Sequence, residues 1–318
     1  MVSSRLAINP ETLIERLQAA GDRREGLAIK EETNLYRLVH GYGDQLPGLN
    51  IDWAAGLAVI WEMKTQVYDL DLIVEWLNRR YAPQAVIRKG LAFGQSGGVL
   101  VHGELERPVW KVCEQGLHFA IEPLAAQNLG IFIDARPVRS WLRQHSQGRL
   151  VLNTFAYTGS LGVAARAGGA RGCVQVDLQG AQLERARRNH ELNDQVVDDR
   201  DLMKADCLRW LRRRKGQVGG IILDPPPRLP GRRKGDPQAW TNLVRSSAAL
   251  LEPDGWLLGM LNRRGFSREE WETRVLEAAT KVGVQLEPTY RTTSGDDFWE
   301  ENIDSRLRVT VFRRVDPQ

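Results

Sequence analysis

The chain has 318 residues, 42% of them hydrophobic and 26% charged, the proportions of an ordinary globular protein. A net charge of +4 and a pI near 9.0 mildly favour an acidic partner. No apolar run reaches the roughly 20 residues that span a bilayer, and Met1 to Pro10 lacks a signal-peptide core. Cys113, Cys173 and Cys207 form no CxxC or Cys/His metal pattern, so no metal is expected, and the expected location is the cytoplasm.

Residues 9–20 predict a helix capped by Asn9 with Pro10 in its first turn. Arg37 to His40 and Gly56 to Trp61 read as short strands, separated by a turn-rich stretch containing Leu46-Pro47-Gly48-Leu49. Leu70, Ile73, Val74 and Leu77 repeat the helical period over 69–80, and Ala85 to Arg88 and Gly98 to Val101 are further strands. From Leu150 strands and helices alternate: strand 150–154, helix 160–167, strand 172–177, helix 180–192, strand 202–205, helix 207–214 and strand 220–224. Helix 237–251, strand 256–261, helix 268–281 and two closing strands near 285–290 and 307–313 complete the series. This rhythm predicts a parallel sheet covered on both faces, with an antiparallel strand at its edge, preceded by a small α+β domain. The expected domains are 1–115 and 116–318. Trp76, Trp141, Trp210 and Trp271 lie at helical core spacing and read as packing, whereas Phe298-Trp299 is a candidate lining for a substrate pocket.

Basic residues cluster at Arg185 to Arg188, Arg212 to Lys215, Arg228 to Lys234, and Arg263-Arg264. Any one cluster is equally well a solvated helix face. The segment 228–234 follows a proline run and reads as a basic loop, with Arg228, Arg232, Arg233 and Lys234 as candidate RNA contacts.

In such sheets ligands bind beyond the carboxyl ends of the strands. The first strand leads into Asn153-Thr-Phe-Ala-Tyr-Thr-Gly-Ser160, where Gly159 permits close backbone approach. It is not GxGxxG, so a dinucleotide is not indicated, and the turn suits a methionine-type cofactor or is a simple strand–helix connection. Asp177 ends the second strand, where a carboxylate can accept from ribose hydroxyls. Asp206 follows the third, as an adenine ligand or only an N-cap. Asp224-Pro225-Pro226-Pro227 follows the fourth, where prolines stiffen the backbone around the carboxylate.

From Gly116 to Arg314 the chain resembles the S-adenosylmethionine-dependent large-subunit ribosomal RNA methyltransferases of the Rlm group, which are class I, Rossmann-like enzymes. It is most similar to the guanine-N7 half of the fused RlmKL enzyme and more distantly to the cytosine-C5 enzyme RlmI. Gly130-Ile-Phe-Ile-Asp-Ala-Arg136, the 153–160 turn, Gly168-Gly-Ala-Arg171, Ala205-Asp-Cys-Leu-Arg-Trp-Leu211, Asp224-Pro-Pro226 and Asn262-Arg-Arg-Gly-Phe266 carry the resemblance. Tyr36-Arg-Leu-Val-His40 and Leu46-Pro-Gly-Leu49 resemble the small domain before catalysis in RlmI-type proteins, while their PUA domain has no counterpart here. The resemblance implies cofactor contacts at Asp134, Arg136, Asn153, Phe155, Tyr157, Thr158, Gly159, Asp177, Leu178, Asp206, Cys207 and Asp224. It implies catalytic roles for Asp224, Pro225, Pro226 and Asn262. Arg228 departs from the family's aromatic or similar residue two positions beyond the second proline, which weakens base stacking there.

Cytosine-C5 transfer needs a cysteine nucleophile after the fourth or fifth strand, and these places read Pro225-Pro-Pro227 and Gly259-Met-Leu-Asn262. Guanine N7 has an available lone pair and needs none. The expectation is therefore methylation of RNA, 23S rRNA at guanine N7, by a monomer or homodimer, with Asp224 and Asn262 orienting the base. The alternatives are another RNA base, a small-molecule or protein substrate, and a degenerate module that binds RNA and cofactor without turnover.

Overall fold

The protein is described from a computed structural model over residues 8–63, 67–90, 97–125, 128–226, 237–261 and 267–315. The chain divides into two compact units, Met1–Ile133 with Gly295–Glu301, and Asp134–Ser294 with Asn302–Gln318.

In the first unit, α1 (Pro10–Arg23) begins where the Asn9 side chain accepts from the Glu11 amide at 2.9 Å. A short α2 (Leu27–Lys30) leads into a five-stranded sheet of sequential order: β1 (Leu35–His40), β2 (Leu49–Ala54), β3 (Leu57–Glu62), β4 (Ala85–Gly90) and β5 (Val99–Gly103). Its pairings are antiparallel except β3–β4, which runs parallel because α3 (Leu70–Tyr81) carries the crossover. Leu13 and Leu17 of α1 and Ile73, Trp76 and Leu77 of α3 share one core with Leu38, Ile51, Ile60 and Val86 of the sheet. The hairpin β6 (Trp110–Glu114)–β7 (Leu117–Ile121) also belongs here, since Asn34 donates its amide to the Cys113 carbonyl at 3.0 Å and accepts from the Cys113 amide at 2.7 Å. These bonds carry the unit past the 115/116 boundary read from the sequence.

The segment Gly295–Glu301 completes the same unit. The buried Asp297 carboxylate accepts from the Arg37 amide at 3.0 Å, and its carbonyl accepts from Arg24 Nη2 at 2.8 Å. Phe298 lies beneath the Arg37 guanidinium, 4.6 Å from its ring centre, and Arg23 stands 4.7 Å over Trp299. Both rings thus sit in this unit, stacked under its arginines.

The second unit is a seven-stranded sheet in the order β10-β9-β8-β11-β12-β14-β13. After α4 (Arg136–His145) come β8 (Leu150–Thr154), α5 (Ser160–Ala167), β9 (Gly172–Asp177), α6 (Gly180–Glu191), β10 (Leu202–Lys204), α7 (Cys207–Arg213) and β11 (Val218–Leu223). Then follow α8 (Pro237–Ala248), β12 (Leu251–Leu261), α9 (Arg268–Thr280), β13 (Gln285–Thr293) and β14 (Arg308–Val315). Strands β8 to β12 pair in parallel, while β14 inserts antiparallel between β12 and the edge strand β13. Helices α7, α8 and α9 bury Leu208, Leu211, Leu243, Val244, Trp271 and Val275 against Leu152, Val176, Ile221, Leu257 and Phe312. A capping box fixes the start of α9: Ser267 Oγ accepts from the Glu270 amide, and the Glu270 carboxylate accepts from the Ser267 amide. The order of strands reverses between β8 and β11, so the crevice for a ligand opens beyond Thr154 and Leu223.

Candidate active site at the carboxyl ends of the parallel strands

The loop leaving β8 concentrates left-handed backbone. Phe155, Tyr157 and Gly159 take φ values of 57°, 49° and 76°, a left-handed region that costs a non-glycine residue about 1 kcal/mol or more. Each step of this turn is held by a hydrogen bond. Cys207 Sγ accepts from the Phe155 amide at 3.3 Å, Val176 O accepts from the Ala156 amide at 3.0 Å, and Asp177 Oδ2 accepts from the Tyr157 amide at 2.9 Å. Gly159 then opens α5, and a Cβ there would lie 2.7 Å from Ala186 Cβ, so the close approach of α6 requires glycine.

Asp177 closes β9 with its other oxygen accepting from the Gln179 amide at 2.9 Å. Both carboxylate oxygens are thereby oriented, and each keeps lone-pair capacity for a further donor. Leu178, next to it, is 48% exposed, an apolar surface at the rim. Asp206 caps α7 by accepting from the Arg209 amide at 2.8 Å and remains half-buried. The capping and ligand readings of Asp206 are compatible, because one oxygen serves the helix.

Asp224 follows β11 beside the turn of β8 and is half-buried, as is Pro225, while Pro226 is exposed. Burial, and secondarily the Asp134 carboxylate, push the Asp224 carboxyl up from 3.8 to about 7. Two carboxyls that oppose each other's ionisation form a site that a cationic ligand group relieves. Among the described residues no group of three or more His, Cys, Asp or Glu side chains is placed to hold a metal ion.

At several of the positions expected to contact the cofactor the side chain is buried. Asn153 is 1% exposed and donates from Nδ2 to Gln175 Oε1 at 2.7 Å, bracing β8 to β9 beneath the loop. Cys207 Sγ is buried between the Phe155 amide and the Val176 carbonyl, and burial pushes its thiol up to about 12. Thr158 and Arg136 are each 1% exposed, so their side chains face the interior. Asp134, Phe155 and Tyr157 keep partial exposure. Asn262, Arg228, Arg232, Arg233 and Lys234 lie outside the described residues. Sequence reasoning passed over Gln175, Asn189 and His190; the polar Gln175 inside the apolar strand Cys173-Val-Gln-Val176 is the signal that marks them.

The sequence pattern of a family of S-adenosylmethionine-dependent methyltransferases matches residues 36–281. Ribosomal RNA large subunit methyltransferase I of Erwinia tasmaniensis is 29% identical over 79% of this chain and 67% of its own length. The ribosomal RNA large subunit methyltransferase of Deinococcus radiodurans is 28% identical over 95% of this chain and 78% of its own. In structure, a SAM-dependent methyltransferase of Streptococcus mutans superposes with a TM-score of 0.86 at 22% identity, over 98% of this chain and 83% of that one. A methyltransferase solved in complex with SAH gives 0.85 at 22% identity, with the same coverage.

Proposed function

Because the chain belongs to the S-adenosylmethionine-dependent methyltransferase family, we propose that it methylates a base of large-subunit ribosomal RNA in the cytoplasm, namely guanine N7 of 23S rRNA. The two ribosomal RNA methyltransferases similar to most of the chain support the substrate class. S-adenosylmethionine supplies a methyl group activated on a sulfonium. The residues present fit it: a glycine-opened turn, a ribose-facing carboxylate at Asp177, and the Asp134 and Asp224 carboxyls near the β8–β11 switch point.

In this reading Asp177 accepts from the ribose hydroxyls, Leu178 covers one side of the adenine, and Asp206 accepts from its amino group. Asp224, stiffened by Pro225 and Pro226, orients the target base, with Asn262 as a second contact. Guanine N7 presents its lone pair without prior deprotonation, so the protein contributes alignment and tolerance of developing positive charge. The observation that carries the choice of base is the placing of the thiols. Addition to cytosine needs a thiolate at the strand ends, whereas burial pushes both Cys173 and Cys207 up to about 12 and no cysteine follows β11 or β12. The first unit and the basic loop 228–234 hold flanking RNA.

Incubating the protein with isotopically labelled S-adenosylmethionine and large-subunit rRNA, then identifying labelled nucleosides by mass spectrometry, tests this. Label in 7-methylguanosine is expected; label in 5-methylcytidine, or a covalent complex trapped by fluorinated cytosine RNA, overturns the assignment. Neutralising Arg232, Arg233 and Lys234 together should flatten the slope of log RNA affinity against log salt by about two units. An unchanged slope would make the loop ordinary solvated surface.

A further inference from the structure

Helix α6 meets the strained turn through one buried side-chain amide. Asn189, 1% exposed, donates from Nδ2 to the Thr158 carbonyl at 2.8 Å. Beside it a chain of donors runs one way through the interior. Asn153 Nδ2 donates to Gln175 Oε1 at 2.7 Å, and Gln175 Nε2 meets His190 Nε2 at 2.7 Å. His190 Nδ1 meets Gln195 Oε1 at 2.7 Å, and Gln195 Nε2 donates to the Val163 carbonyl at 3.0 Å. An amide nitrogen can only donate, so Nε2 of His190 is the acceptor and Nδ1 carries the hydrogen. Burial holds that imidazole down to about 4, so it is neutral, as the chain requires. Gly162 leaves room for the middle of the chain: a Cβ there would stand 1.8 Å from Gln175 Nε2.

The buried chain fixes α6 and α5 against β8 and β9, and Asn189 is the member of that packed layer that reaches the turn itself. The peptide it grips joins Thr158 to Gly159, and the residues on either side of Thr158, Tyr157 and Gly159, are held left-handed. The amide end of that peptide is held by the Gly159 N–H, which donates to the Ala156 carbonyl at 2.8 Å, and Asn189 is the side chain that holds its carbonyl end; losing it loosens the Tyr157–Gly159 backbone at the opening of the crevice.

We infer that Asn189 is a positioning residue: its amide locks the Thr158 peptide so that the 155–159 turn is already shaped for S-adenosylmethionine before the cofactor arrives. This rests on the assignment of that turn to the cofactor. Asn189 has no role in the methyl transfer itself, so its removal should weaken cofactor binding and leave the RNA side untouched.

Calorimetric titration with S-adenosylhomocysteine tests it on the whole chain, with salt-dependent rRNA binding measured in parallel. N189A should weaken S-adenosylhomocysteine binding roughly five- to tenfold, the size of one neutral hydrogen bond, with rRNA affinity unchanged. N189D keeps the shape but sets an acceptor against the Thr158 carbonyl, and should weaken binding at least as much. N193A is the structural control. Asn193, one turn further along, gives its amide to the Asn189 carbonyl at 2.7 Å, and its loss should lower thermal stability without changing cofactor affinity. The inference is overturned if folded N189A and N189D bind S-adenosylhomocysteine as the wild type does. It is equally overturned if N193A loses as much affinity for the same loss of stability, which would reduce Asn189 to packing. Failure of the wild-type chain to bind S-adenosylhomocysteine would remove the cofactor assignment of the turn, and the inference with it.

Discussion

The Asp224 carboxyl stands far from its ordinary state. Its carboxyl is raised to about 7 in the folded protein, so the folded state holds a proton that the unfolded chain releases near 4. This group's contribution to stability is therefore fully present below about pH 4 and is lost as pH rises to about 7. D224N should remove that loss, so its stability relative to wild type rises between pH 4 and 7 and levels off above; equal pH profiles in chemical denaturation would refute the shift. A cationic ligand prefers the ionised carboxylate, so affinity for S-adenosylmethionine should fall below pH 7 by up to about tenfold per unit, and D224N should flatten that dependence. The acidic positions after each strand were legible because strand ends are marked by their apolar runs. The bracing was not: the side chains of Asn153 and Cys207 hold β8, β9 and the turn together through bonds that no local pattern announces.

At the scale of elements, the alternating second half of the chain was readable to within a few residues, because long apolar strands and amphipathic helices impose unlike periods. The exceptions have physical causes. Strand β2 was read as part of a turn-rich stretch, since it carries Asn50 and Asp52, yet Asp52 is buried by accepting from Arg37 Nε and from Trp61 Nε1 at 2.7 Å. Strand β12 starts at Leu251, five residues before the apolar run, through Glu252-Pro-Asp-Gly255, a sequence with the look of a turn. Helix α4 hides its pattern because its buried positions include Arg136 and Arg139 beside Val138, Trp141 and Leu142. The packing of α5 on β9 gives a direct test. G162A would drive its methyl into Gln175 and should destabilise the protein by about 1–3 kcal/mol in chemical denaturation. A neutral result would mean the Asn153–Gln175–His190 chain is looser than described.

At the scale of the whole molecule, the chain order and the folded units do not coincide. Composition and periodicity run along the chain and suggested two successive domains, but Gly295–Glu301 leaves the second unit to complete the first, a return that no local pattern announces. Asp297, buried against the Arg37 amide, is the centre of that return. D297A leaves the amide without its acceptor and should cost about 1–3 kcal/mol. Hydrogen exchange should then quicken in β1 while β8 and β9 keep their protection; uniform protection across both units would show that the segment is dispensable. The central claim concerns the second unit: the cofactor lies beyond the carboxyl ends of β8, β9 and β11, with Asp177 at its ribose. Calorimetric titration of wild type and D177A with S-adenosylhomocysteine addresses it most directly. A single wild-type site and a loss of about 1.5–3 kcal/mol in a folded D177A are expected, the weight of charge-assisted hydrogen bonds. Equal affinity in the two proteins would place the cofactor elsewhere.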